Sequence, residues 1–109
     1  MPTSATIPPP AVDAAFAALR GQGWVAEWDY ECCQTCAWAR LSREHPGAER
    51  VVFATWQDVE DMDVGSEMWL AWAAPDVLDT RQVAAALRAQ GLSVGLPLAA
   101  SRRIRVRTA

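Results

Sequence analysis

The sequence predicts an α+β domain with a ferredoxin-like βαββαβ order, an antiparallel sheet, an added N-terminal helix and an extra C-terminal strand. Two observations lead to this prediction. Apolar residues recur at helical spacing in three segments and form β-branched, aromatic or alternating runs in five others, and the two kinds of segment follow one another along the chain. The 109 residues are 51% hydrophobic and 21% charged, as expected of one globular domain.

The first half of the chain is predicted to contain two helices and two strands. Val12, Phe16 and Leu19 share one face of the first helix, and β-branched and aromatic residues mark the second strand. The predicted elements are a helix over 11–20, a strand over 24–28, a helix over 35–43 and a strand over 50–56. Residues 1–10, which end in three prolines, are predicted to form a flexible tail, so that the single domain spans 11–109.

The second half of the domain begins with the acidic segment 57–66, which is predicted to be a loop. Asp79 is predicted to cap the next helix, with Gln82 three residues further on in a box-like arrangement. Val83 and Leu87 supply the apolar face of that helix. The remaining strands are predicted at 67–73, 92–96 and 103–107.

The three cysteines of the chain, Cys32, Cys33 and Cys36, lie within five residues, between a predicted strand and a predicted helix. Backbone N–H groups at the start of a helix stabilise a thiolate, so thiol–disulfide chemistry at Cys33-x-x-Cys36 has a physical basis. The order of the later elements nevertheless differs from that of a thioredoxin-like chain, and neither of the next two strands has a proline near its start.

The same cysteines are weak candidates for zinc ligands, and zinc is the only cofactor that the sequence suggests. A closed zinc site needs four ligands, and the cysteines supply three. His45, the only histidine, lies at the far end of the predicted helix, and a rise of ~1.5 Å per residue carries it well away from Cys36. A third interpretation is that Cys32 and Cys36 pack as small apolar residues while Cys33 points elsewhere. The sequence leaves all three open and favours packing.

Tryptophan is abundant, and a domain of this size rarely buries six indoles while satisfying each indole N–H. At least one, such as Trp56 or Trp69, is therefore expected to line a pocket or an interface. Trp56, the last residue of a predicted strand, and the following Gln57 and Asp58 form the candidate ligand or partner surface. The carboxylates in this region lack the spacing of a calcium-binding loop.

The last predicted strand carries Arg103, Arg105 and Arg107 on one face. One interpretation is a site for an anion or an acidic partner. The other is a charged edge strand that prevents sheets of different molecules from pairing. The second is favoured because the net charge of the chain is −3.

Composition also restricts the compartment and the partners. No apolar run approaches the about 20 residues of a membrane span, and the start of the chain lacks the features of a secretory signal, so a cytoplasmic location is expected. The net charge of −3 argues against nucleic acid and membranes as partners. The expected partner is a protein or a small molecule, and a homodimer is compatible with the sequence.

Several short stretches, taken together, carry a resemblance that covers residues 11–107. They are Gly23 to Ala26, Cys32 to Ala37, Val52-Phe53 with Gln57-Asp58, Leu70 to Trp72, and Arg103 to Val106. They resemble a bacterial family known as a domain of unknown function, which implies a small cytoplasmic α+β domain and no assigned activity. Related sequences look like Tyr-His-x-Gln-Asp at 54–58, where this chain has Thr55 instead of histidine. The resemblance therefore does not support a histidine-assisted site.

The leading interpretation of the sequence is a small non-enzymatic domain that binds a partner or a small ligand, because no set of catalytic residues is present. The alternative is a thiol-redox or zinc-binding protein that uses Cys32, Cys33 and Cys36. These two interpretations differ in what the purified protein should contain. The alternative requires either stoichiometric zinc or a disulfide between Cys33 and Cys36.

Overall fold

A mixed five-stranded sheet and four α-helices make up the part of the chain that the structure, a computed structural model, describes: residues 7–64, 67–99 and 102–108. The elements are α1 (Pro9–Gly21), β1 (Val25–Glu27), α2 (Gln34–Glu44), β2 (Val51–Phe53), α3 (Trp56–Val64), β3 (Glu67–Ala73), a 3-10 turn (Val77–Asp79), α4 (Thr80–Arg88), β4 (Leu92–Gly95) and β5 (Ile104–Thr108). Within these ranges, no helix has the length and apolar character needed to cross a membrane.

The strands lie in the order β1-β2-β3-β5-β4. β1 and β2 are parallel, with Ala26 opposite Val52, and every other neighbouring pair is antiparallel. The α+β class is thus confirmed, whereas the ferredoxin-like topology is not, and the sheet is not wholly antiparallel. The reason is that β1, α2 and β2 form a direct βαβ unit, while in the ferredoxin-like split unit another strand separates the parallel pair.

The acidic segment that follows β2 is the helix α3, and the prediction of a loop there is wrong. Thr55 and Asp58 bond to each other at the start of this helix. The backbone N–H and the hydroxyl of Thr55 donate to Asp58 Oδ2 at 2.9 and 3.0 Å, and the Asp58 N–H donates to Thr55 Oγ1 at 3.4 Å. This is a capping box, in which Thr-x-x-Asp satisfies backbone donors at the start of a helix. Residues 65 and 66 of the predicted loop lie outside the described residues.

α1 and α4 cover one face of the sheet and form the main core with it. The helices contribute Phe16, Leu19, Val83 and Leu87, all of which are buried. The sheet contributes residues at alternate positions of its strands, as expected when one face is covered. They are Ala26, Val52, Met68, Leu70, Trp72, Leu92, Val94, Ile104 and Val106.

Two tryptophans of the main core satisfy their indole N–H groups within it. Trp24 donates to Gln82 Oε1 at 2.6 Å, and Trp72 donates to the carbonyl oxygen of Arg102 at 2.7 Å. Both side chains can therefore be buried without losing a hydrogen bond. The tryptophans that remain exposed lie elsewhere, and Trp56 and Trp69 are among them, 54% and 37% exposed.

α2 covers part of the second face of the sheet and forms a smaller core. Ala37 and Leu41 of α2 pack with Phe53 of β2. Trp38 adds an edge-on contact, with its ring centroid 4.9 Å from that of Phe53. This helix therefore packs over β2 and the neighbouring part of β3.

The rest of the second face, on β3, β5 and β4, is partly or fully exposed in the described part of the chain. Trp69 lies there because it alternates with the buried Met68 and Leu70, and Arg105 is its register partner on β5. β5 lies between β3 and β4, so it is an internal strand. The interpretation of its arginines as a charged edge strand is therefore wrong.

The entry to α4 also differs from the prediction. The N–H of Leu78 donates to Asp76 Oδ1 at 2.8 Å, and the N–H of Asp76 donates to Asp79 Oδ2 at 3.2 Å, which makes Asp76 and Asp79 the capping box of the short 3-10 turn. Asp79 makes no side-chain capping bond to α4, because its carboxylate faces backward to Asp76 and Arg50.

The predicted N-terminal tail, 1–10, falls only partly within the described residues, which begin at Ile7. Ile7 is 1% exposed in the main core. Pro9 and Pro10 form the first turn of α1, where the missing N–H of proline has no helical partner to lose.

Candidate functional site

The cysteines lie where the carboxyl ends of the parallel strands β1 and β2 meet the N-termini of two helices. The connection from β1 runs into α2, and the connection from β2 runs into α3. The carboxyl ends of parallel strands are a common location for ligands in α/β sheets. The free backbone N–H groups at the start of a helix favour anions, including thiolates.

The connection from β1 to α2 has a defined backbone path. Asp29 and Glu31 have φ angles of 55° and 63°, a left-handed conformation that is uncommon for residues other than glycine. Two backbone hydrogen bonds join this connection to the chain after β2. The N–H of Tyr30 donates to the carbonyl of Ala54 at 2.9 Å, and the N–H of Trp56 donates to the carbonyl of Glu31 at 2.9 Å. These bonds fix the position of Tyr30 and Glu31, the two residues that immediately precede Cys32.

The three sulfur atoms converge. The Sγ atoms of Cys32, Cys33 and Cys36 all lie within 4.8 Å of one another, and those of Cys32 and Cys33 are 3.9 Å apart. Cys32 and Cys36 are exposed and Cys33 is half-buried. The interpretation that Cys32 and Cys36 pack as small apolar residues is therefore wrong. The cluster is open to solvent, so an ion or a substrate can reach it.

The protonation of the thiols is unequal. The backbone N–H of Cys36, with a smaller contribution from its thiol, holds the pKa of Cys33 below its ordinary value. The thiols of Cys32 and Cys33 raise the pKa of Cys36 to about 11. Cys33, the residue immediately before α2, therefore ionises before Cys36. A thiolate is both the better nucleophile and the form that binds metal.

Among the described residues, no histidine, carboxylate or further cysteine joins the three thiols as a fourth ligand. His45 is the residue after the last turn of α2, whereas Cys33 is the residue before its first turn. They are 12 positions apart, which along the helix is about 18 Å at 1.5 Å per residue. The cluster offers three ligands and an open fourth position.

A polar network next to the cluster links its loop to the other end of α2. The hydroxyl of Tyr30 donates to Glu44 Oε1 at 3.0 Å, and Arg40 forms ion pairs with Glu31 and Glu44 at 3.1 Å each. The guanidinium carbon of Arg40 also lies 4.3 Å from the centre of the Tyr30 ring. Burial and the hydrogen bond to Glu44 raise the pKa of Tyr30 to about 12. The network therefore ties the cysteine loop, through Tyr30 and Glu31, to the last turn of α2.

The predicted surface at Trp56, Gln57 and Asp58 is divided by the structure. Trp56 and Gln57 are exposed, and the backbone bond from Trp56 to Glu31 places them beside the cysteine loop. Asp58 is 5% exposed and holds Thr55 with one oxygen and Arg103 with the other. Asp58 is thus placed to join α3 to the start of β5. The Thr-x-x-Asp spacing was a readable signal for this capping role.

The fold and the site together define a small α+β domain with an exposed cluster of three cysteines at the start of a helix. The chain belongs to the family of the domain of unknown function DUF6891, whose model matches residues 10–109. This match confirms the resemblance to a domain of unknown function. No curated protein and no solved structure matches the chain.

Proposed function

We propose that this protein binds a thiophilic metal ion, Zn²⁺ or Cu⁺, through Cys32, Cys33 and Cys36. The convergence of the three Sγ atoms within 4.8 Å is the observation that carries the proposal. Two thiolates that bind one zinc ion at about 2.3 Å are about 3.8 to 4.0 Å apart. The 3.9 Å between the Sγ atoms of Cys32 and Cys33 is close to this separation. The adjacent cysteines are thus already spaced as ligands of one ion.

Charge and access support the same function. The helix N-terminus beside Cys33 offsets part of the negative charge that three thiolates bring together. The exposure of Cys32 and Cys36 gives an ion a path to the site. Soft thiolates select Zn²⁺ and Cu⁺ over hard cations such as Mg²⁺. An open fourth position is typical of sites that exchange a ligand or pass on the ion, in contrast to closed structural zinc sites.

The test is metal analysis of the full chain purified under reducing conditions. We expect about one zinc or copper ion per chain, together with three thiols once the metal is removed. Each of Cys32→Ser, Cys33→Ser and Cys36→Ser should weaken competition against a chelator by more than about 100-fold, more than the loss of an outer hydrogen-bond partner costs. The metal-free variants should keep the circular dichroism spectrum and thermal midpoint of the metal-free parent protein.

His45→Asn is the matched control, because His45 lies at the other end of α2. It should bind metal as the parent protein does. The proposal fails if the protein carries three free thiols and takes up neither Zn²⁺ nor Cu⁺, and if Cys33→Ser gives the same result as the parent protein in the competition against a chelator.

A second function, thiol–disulfide exchange, is supported by the unequal thiols of Cys33 and Cys36. The Cys33 thiolate would attack a disulfide and release one thiolate of the substrate. The Cys36 thiolate would then attack the Cys33 sulfur, which releases the second thiolate and leaves a Cys33–Cys36 disulfide. An external dithiol would have to reduce this disulfide in each cycle.

Cys32→Ser separates the two functions. A metal site that uses three thiols loses one of its ligands, whereas disulfide exchange needs only Cys33 and Cys36. Retention of disulfide reduction with loss of metal binding would show that both chemistries occur. Disulfide reduction by a parent protein that binds no metal would favour the second function alone.

A further inference from the structure

A groove of about 530 Å³ lies on the open part of the second sheet face. Trp69 of β3 and the segment 95–99 between β4 and β5 give it an apolar lining, and Arg102, Arg103 and Arg105 complete it. It shares no residue with the cysteine cluster. Its size and its apolar lining with a few polar groups are those of small-molecule sites.

The apolar part of the groove is unusually exposed. Leu98 is 96% exposed, and Leu96 and Trp69 are each 37% exposed. Large apolar side chains that lie together on a surface mark a place that another molecule covers. Trp69 offers the face of an indole, a good surface for an aromatic or aliphatic group.

The charge of the groove specifies what covers it. Arg103 is paired with Asp58, and Arg105 with Glu67, whereas Arg102 has no ion-pair partner among the described side chains. The lining therefore has an excess of one positive charge, in a chain whose net charge is −3. A guanidinium that faces an apolar surface is a strong donor to a carboxylate.

A second copy of the chain is a poor fit to this groove. A two-fold dimer through this groove would place the same patch on itself, and Arg102 of each copy would then face a lining that already has an excess of positive charge. A small anion meets no such repulsion. At about 530 Å³, the groove has the volume of a small-molecule site.

We propose that this groove binds a small organic monoanion, with its apolar or aromatic body against Trp69 and Leu98 and its carboxylate accepting hydrogen bonds from Arg102 and Arg105. The strand register supports this arrangement, because Arg105 lies directly opposite Trp69, with its guanidinium carbon 5.7 Å from the centre of the indole ring. Arg105 donates to Glu67 through Nε and Nη2, which leaves its Nη1 for a ligand.

The test compares 1-naphthylacetate with its neutral amide, 1-naphthylacetamide, by calorimetric titration of the full chain and by the NMR signals of the indole N–H groups. The two probes have the same apolar body and differ in charge. We expect the acid to bind about tenfold more tightly than the amide, as a charge-assisted hydrogen bond implies. Arg102→Gln should remove this advantage, and Leu98→Ser should weaken both probes alike.

Arg107→Gln is the matched control. Arg107 is exposed and does not line the groove, so this variant loses the same charge at a position away from the groove. It should bind both probes as the parent protein does, as should Cys33→Ser, so the outcome is independent of the metal site. Equal affinity for acid and amide, or no binding of either, would overturn the proposal. So would a dimer in sedimentation that Leu98→Ser dissociates, since the groove would then be a subunit contact.

Discussion

The cysteine cluster and the groove beside Trp69 are assembled in different ways. The cluster comes from five consecutive residues, and backbone bonds join its loop to the chain after β2. The groove needs β3, β5 and the connection after β4, whose residues meet only when the sheet has formed. The residue set of the cluster is therefore a local property of the chain, whereas the groove is a property of its tertiary structure.

One ion pair connects these two regions. Asp58 caps α3, the helix that starts beside the cysteine loop, and its other oxygen pairs with Arg103, which lines the groove. Arg103 also donates to the backbone carbonyl of Trp69. Changes at Asp58 should therefore disturb the groove directly and the cluster only through the position of α3.

The largest expected effect is that of Asp58→Ala. The variant loses a capping interaction worth about 1 kcal/mol and a charged hydrogen bond worth about 2 kcal/mol, so the free energy of unfolding should fall by about 3 kcal/mol. Urea denaturation measures this loss. Naphthylacetate binding should weaken, while metal binding at the cysteines should remain. Glu60→Ala, which removes an exposed carboxylate from the same helix, should change stability by less than about 0.5 kcal/mol. Equal stability of the two variants would contradict the bridging role.

Tyr30 tests whether the cysteine loop is anchored. It is the only tyrosine, and absorbance at 295 nm should show its phenol titrating near its pKa of about 12, a roughly 100-fold change in acid dissociation from the ordinary 10.0. Because the pKa is raised in the fold, its contribution to stability is complete below about pH 10 and is lost as the pH rises toward 12. Glu44→Gln should lower this pKa without returning it fully to 10.0, since burial is the larger cause. A Tyr30 phenol that titrates near pH 10 in the parent protein would mean that burial and Glu44 do not hold Tyr30, and hence that the cysteine loop is not anchored.

The thiols should react at different rates. Cys33 should be alkylated by iodoacetamide at least about tenfold faster than Cys36 at pH 7.5, because the pKa of Cys33 is lowered and that of Cys36 is raised. Mass spectrometry of partially alkylated protein measures the two rates, and raising the pH should narrow the difference as Cys36 begins to ionise. Arg103→Gln, a change in the groove, should leave this order as it is. Similar rates at neutral pH would show that the start of α2 does not distinguish the thiols.

The smallest expected effect concerns Glu67, whose carboxylate competes with a ligand for Arg105. The Arg105 guanidinium holds the pKa of Glu67 below its ordinary value, and the two are joined by a hydrogen bond of 2.8 Å. Glu67→Gln should therefore tighten naphthylacetate binding about threefold, the range of an exposed ion pair. Glu60→Gln removes the same charge away from the groove and should leave the affinity unchanged. Weaker binding by the Glu67 variant would argue against a carboxylate at Arg105.

Much of the cysteine cluster could be predicted from the sequence. The motif, its position between a strand and a helix, and the distance of His45 all follow from spacing along the chain, and the structure places them as expected. The exposure of Cys32 and Cys36 could not be predicted, because cysteine is as common in cores as apolar residues are. The connection that carries these thiols has left-handed backbone at Asp29 and Glu31, where the sequence has no glycine to signal it.

Sequence patterns alone predict the α+β class, the approximate positions of most helices and strands, and the cysteine cluster, because periodicity and clustering are properties of residues close together in the chain. The parallel pairing of β1 with β2, the internal position of β5 and the groove beside Trp69 become visible only in the folded structure. These features depend on which distant segments become neighbours. With β5 at the edge of the sheet, Arg103, Arg105 and Arg107 would form a charged edge strand. In the strand order that this chain adopts, β5 is internal and the three arginines lie on an open face.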